Sequence, residues 1–207
     1  MKTIACFAVL LASLSTHATV DQSMINLYQE AANRGGEAVE KSYETFKTAR
    51  ESDPADAVAL FYLGASETLM ARDSWLPWKK LSLAENGIAR MDKALTLLTQ
   101  GDTTGEQTQT TQRGLPQDIV LKGIAAATFT QMPEFFNTFE RGYSLYHSLM
   151  NDSRLARVPA QHLSWIYCGA LDAAVNNADL TQANTWYQTV NELGISSQCS
   201  VTRAQLQ

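Results

Sequence analysis

Apolar residues along this chain recur at intervals of three and four. From Leu81 the run Leu81, Ala84, Ile88, Met91, Leu95 and Leu98 lays one stripe along a helix. Ala57, Leu60, Phe61, Gly64, Ala65, Thr68 and Leu69 follow the same spacing, as do Phe135, Phe139, Tyr143, Tyr146 and Leu149. No run alternates convincingly at two, the period of a half-buried strand, so the pattern predicts an all-α chain.

Glycine and proline divide the pattern. Breaks are expected at Arg34 to Gly36, at Pro54, at Leu76 to Trp78, at Gly114 to Asp118, at Gln131 to Glu134 and at Arg157 to Ala160. They give about eight helices of roughly three to five turns, whose short connections favour antiparallel neighbours. The segment Thr99 to Gln112 departs from this. It holds six Thr and four Gln in fourteen positions and no apolar residue, so a polar loop or linker is expected over 99–114, between the two halves.

Internal similarity decides between a bundle and a solenoid. In "LSWIYCGALDAAVNNADLTQANTWYQTVNELG" an early Trp is followed by Gly169, a small-residue face at Ala170, Ala173 and Ala174, a polar turn, then Ala183 and Tyr187 four apart. This resembles a tetratricopeptide repeat. Upstream, Ser42, Phe46, Ala49 and Pro54 stand at the spacing that ends such a repeat, and Leu60, Leu63, Gly64 and Ala65 look like the first helix of the next. From Gly64 to Ala94 is 30 residues, against about 19 in a regular repeat. About eleven residues are therefore expected as an insertion at the turn between two paired helices, and "DSWLPWKKL" lies within it. Together with the third pair, "DIVLKGIAAATFTQMPEFFNTFERGYSLYHSLM", that segment is similar to a group of secreted bacterial proteins described only as tetratricopeptide-like. The resemblance covers most of 24–195 and implies an antiparallel helix-pair solenoid of about four pairs; it carries no activity.

The first twenty residues modify the picture of the compartment. One Lys, an apolar run from Ile4 to Leu14 and small residues up to Ala18 have the form of a secretory signal at 1–18, leaving 19–207 as one domain and a periplasmic or secreted protein. The run is too short to span a bilayer and no other approaches about 20 apolar residues, so membrane insertion is not expected. The formal charge of -5 becomes -6 when Lys2 leaves, which argues against a nucleic-acid partner. Cys168 and Cys199 remain after processing. An exported pair invites a disulfide that would fasten the C-terminal tail to an upstream helix; the alternative is that Cys168 is a buried thiol.

Candidate chemistry is sparse. The chain has no Gly-x-Ser-x-Gly elbow, no His-Glu-x-x-His, no Cys-x-x-Cys and no phosphate-binding Gly-rich loop. His147 and His162 fall on different predicted helices without a second ligand at metal spacing, so neither a metal nor another cofactor is expected. Glu134, Glu140 and Asp172 are carboxylates that a hydrolase would have to pair across a cleft, which spacing alone does not reveal. The best binding candidate is "ARDSWLPWKK": Trp75 and Trp78 around Pro77, with Arg72, Asp73, Lys79 and Lys80 beside them. Aromatics next to cations can anchor a peptide or an acidic group, or the indoles can simply pack as a staple. The expectation is a non-enzymatic binding or scaffolding module for an unidentified protein or peptide in the cell envelope. The alternatives are a small-molecule site walled by Trp75 and Trp78, or an envelope hydrolase.

Overall fold

The computed structural model describes residues 20–101 and 114–206. The expected signal at 1–18 and its cleavage point lie outside them, as do residues 102–113 of the polar tract. Eight α-helices account for most of the described residues, which contain no strand: α1 Gln22–Arg34, α2 Glu37–Ser52, α3 Ala57–Asp73, α4 Pro77–Gly101, α5 Gln117–Gln131, α6 Phe139–Met150, α7 Ala160–Asn176 and α8 Leu180–Glu192. None is long and apolar enough to cross a membrane.

Local chemistry sets the boundaries. The Asp21 carboxylate accepts the Met24 N–H at 3.0 Å, Asp56 accepts Val58 and Ala59, and Asp179 accepts Gln182, so three helices begin on an aspartate cap. Pro77 opens α4, where its fixed φ and missing N–H do no harm. Between α1 and α2 the chain turns through Gly35 and Gly36 at φ of 70° and 61°, a conformation side chains resist.

Neighbouring helices pack as hairpins, and α1, α3, α5 and α7 also touch in succession. Two clusters form the core. In the first, Tyr62 stacks on Phe46 with ring centroids 4.9 Å apart and takes the edges of Tyr28 and Phe61. The second joins Tyr146, Leu163, Ile166, Leu171, Trp186 and Val190. Helix α5 belongs to both: Leu121, Ala125 and Phe129 enter the first, Ile119, Val120 and Ala126 the second. The halves on either side of the polar tract therefore share a helix as a common wall.

Three sequence expectations are corrected. The insertion expected between paired helices is not a loop: only Ser74 to Leu76 separate α3 from α4, and the additional residues lengthen the helices, α4 reaching 25. The polar loop begins later than 99, because Thr99 to Gly101 continue α4 and the Thr99 hydroxyl donates to the Leu95 carbonyl at 2.8 Å. Phe135 does not open α6. It lies in a 3-10 turn, Glu134–Phe136, divided from the helix by Asn137 at φ 51°.

The C-terminal end is fastened twice. A disulfide joins Cys168 of α7 to Cys199, with Cα atoms 4.9 Å apart, and Val201 and Leu206 are buried against the last hairpin. Asn184 of α8 donates to the Leu206 carbonyl. Arg154 contributes a polar clasp, donating to both carboxylate oxygens of Asp118 on α5 and of Asp152 ahead of α7 at 2.6–3.1 Å.

Candidate functional site

The α3–α4 hairpin carries two tryptophans at its tip, the most exposed large apolar side chains among the described residues. Trp75 is 85% and Trp78 70% exposed. Exposure of this degree does not fit a packing staple: Trp75 lies in the three-residue turn, Trp78 in the first turn of α4, and residues 77–82 are all exposed.

The six candidate binding residues divide by the direction in which they point. Arg72 and Asp73, the last residues of α3, bind the α1–α2 turn. The Arg72 Nη1 donates to the Ala32 carbonyl at 3.0 Å, its Nε to Asp73 Oδ1 at 2.7 Å, and Asp73 Oδ2 accepts the Gly36 N–H at 2.9 Å. This pair satisfies a helix end and holds a positive-φ glycine turn in place, and the hydrogen bond from Arg72 keeps the Asp73 carboxyl below its ordinary value. Trp75 and Lys79 line a depression of about 350 Å³ facing Glu37 and Glu40 of α2. Lys80 points to the opposite side, and Trp78 lines neither. The segment "ARDSWLPWKK" is thus two surfaces and a structural clamp.

The side reached by Lys80 is a groove of about 580 Å³, within the range of ligand-sized clefts. One wall is the end of α3, with Leu69, Ala71 and Arg72, and the start of α4, with Pro77, Lys80, Leu81 and Ala84. The other is the end of α5 and the turn after it, with Thr128, Gln131, Met132, Pro133, Phe135 and Phe136. Helical spacing explains the α4 wall: positions 77, 80, 81 and 84 share one face over two turns. The same stripe continues into the core as Ala84, Ile88 and Met91, all buried, but at Leu81 it emerges 41% exposed. Opposite, Phe135 is 66% exposed and lies against Phe136 with centroids 4.3 Å apart.

Below the groove the hairpin is unusually close. A β-carbon on Gly64 would lie 2.7 Å from the Gly87 carbonyl oxygen, and one on Gly87 2.6 Å from that of Gly64. One turn further, Glu67 of α3 is buried and faces Arg90 of α4 at 2.8 Å. Burial raises the Glu67 carboxyl above its ordinary value, against the pull of Arg90.

The lining offers apolar area, the Thr68 and Thr128 hydroxyls, the Gln131 amide and two cations, with no carboxylate, histidine, cysteine or serine. Glu134 and Glu140 are exposed outside it, and Asp172 accepts a hydrogen bond from the Ser200 hydroxyl. His147 lies between Tyr143 and Trp186, at 4.6 and 4.9 Å from their rings, and His162 is exposed on α7. No group of three or more metal-ligating side chains forms among the described residues. A second depression of about 390 Å³ lies between α1, α5 and α7, with Tyr28, Gln29, Asn33 and Trp165 in its lining. Leu81 is legible in the sequence as a stripe residue but not as an exposed one. Met132 reads only as part of a helix break, and Phe135 and Phe136 as the start of the helix after it, so none of them stands out as a groove residue. Compared with protein-family models, curated proteins and solved structures, the chain matches none.

Proposed function

We propose that the protein is an exported, tetratricopeptide-like binding module that recognises a protein or peptide in the cell envelope through the groove between the α3–α4 hairpin and the end of α5, without a covalent step. The observation that carries this reading is the groove: an apolar stripe that leaves the core at Leu81, faces Phe135, and is bordered by Arg72 and Lys80. Apolar area with a few placed polar groups is what reversible recognition requires. The repeat reading is supported by the successive contacts of α1, α3, α5 and α7, since stacked helix pairs touch through their equivalent members. Export is supported by the Cys168–Cys199 bond, of a kind that persists in oxidising compartments.

Cross-linking and recovery of the tagged protein from envelope extracts tests the reading. A partner recovered by the native chain and lost with Leu81→Asp and Phe135→Asp is the expected result. Equal recovery by both would remove the groove from the function. The small-molecule alternative has less support, because Trp78 lines neither the groove nor the depression that Trp75 lines.

A further inference from the structure

Resting on the groove-recognition reading above, we infer that the groove receives an amphipathic helix of another protein, with apolar residues on one face and an aspartate or glutamate beside them that pairs with Lys80. The shape of the unfilled stripe specifies the helix. Pro77 and Leu81 present an exposed face at the start of α4 that closes at Ala84, 3% exposed, about 10 Å along at the rise of an α-helix. The facing wall is Met132, Pro133, Phe135 and Phe136. A helix seated there with apolar residues at i, i+3 or i+4, and i+7 continues the packing that Ala84, Ile88 and Met91 already receive inside the fold.

Charge decides the sign of the flanking residue. Arg72 is already engaged by Asp73 and by the Ala31 and Ala32 carbonyls. Lys80 is exposed, and no salt bridge among the described residues includes it or Lys79. With no carboxylate in the lining, an acidic ligand meets no repulsion inside the groove, whereas a basic one would bring a second cation against Lys80. In a chain of net charge -5 this is a local inversion of sign.

The test is selection of a displayed library of random 15-residue segments on the full mature chain, with Leu81→Asp and Lys80→Glu variants in parallel. Both substitutions are at exposed positions, and circular dichroism verifies that each variant folds. The expected result is enrichment of segments with apolar residues at helical spacing and flanking Asp or Glu. They bind about tenfold or more weakly to Leu81→Asp, as for a buried anchor, and the Lys80→Glu variant selects Lys or Arg in place of the acids. Enriched segments that depend on Leu81 but are neutral or basic overturn this inference and leave the binding-module reading standing. No enrichment over the Leu81→Asp variant overturns both. Sedimentation with phosphatidylglycerol vesicles in a manner that requires Trp75 and Trp78, with no segment enriched, overturns both in favour of a lipid surface.

Discussion

Gly64 and Gly87 meet backbone to backbone where α3 crosses α4, each leaving no room for a β-carbon beside the other's carbonyl oxygen. Two effects of opposite sign act on an alanine there. Alanine gains up to about 1 kcal/mol over glycine in a helix interior, but the nearest atom it meets in either helix is a main-chain carbonyl oxygen, which cannot rotate away. Overpacking of this kind costs typically about 1–3 kcal/mol, so the clash prevails. Gly64→Ala and Gly87→Ala are each expected to lower stability in urea denaturation, and to open the groove by separating its α3 and α4 wall. A variant as stable as the native chain would refute the close approach.

The tryptophans provide a contrast in the opposite direction. Trp75→Ala and Trp78→Ala are expected to change unfolding free energy by no more than about 0.5 kcal/mol, as at ordinary surface positions. Trp186 is buried against Tyr143 and His147, and Trp186→Ala is expected to cost about 3–5 kcal/mol. Acrylamide quenching of fluorescence should fall markedly when both exposed indoles are replaced and little when Trp186 is.

How much of this was legible beforehand follows from which interactions are local. Helix periods depend on neighbours a few residues away, and the sequence displays them. The direction of Trp75 and Trp78 depends on whether another helix covers the first turns of α4, which spacing does not encode. Reading the additional residues between Gly64 and Ala94 as an insertion failed because longer helices absorb added residues as readily as a loop does. The repeat resemblance puts Tyr187 at the core position of the last helix, yet its neighbour Trp186 fills it, a displacement of one residue that decides which ring is buried. Phe135 continues the apolar spacing of α6, but Asn137 in the left-handed region ends that continuity.

Removing the disulfide acts mainly on the unfolded chain. Cys168 and Cys199 are 31 residues apart, and closing a loop of that length is worth about 3–4 kcal/mol on the chain-entropy estimate. The double substitution to serine is expected to lower the denaturation midpoint, and dithiothreitol should shift the native protein but not the variant. An intact mass two hydrogens heavier after reduction measures the bond directly.

The acid limb of stability should pass through the Arg154 clasp. Hydrogen bonds from Arg154 hold the Asp152 carboxyl below its ordinary value of 3.8. A carboxyl lowered in the folded state contributes stability that is fully present above its unfolded value and lost as pH falls through the folded one. Asp152→Asn is therefore expected to flatten the loss of stability below about pH 4. Glu67 has the opposite sign: raised by burial, it favours the fold at low pH and loses that contribution as pH rises through its folded value. Urea titrations of Asp152→Asn and Glu67→Gln from pH 2.5 to pH 7, about the span of carboxyl titration, would separate them.

The link between Cys168 and Cys199 also changes what a protease can accomplish. All of α8 lies inside the covalent ring that it closes. A single cut anywhere in that helix leaves both fragments joined, so the nicked molecule keeps the mass of the whole plus one water and separates into two bands only when reduced.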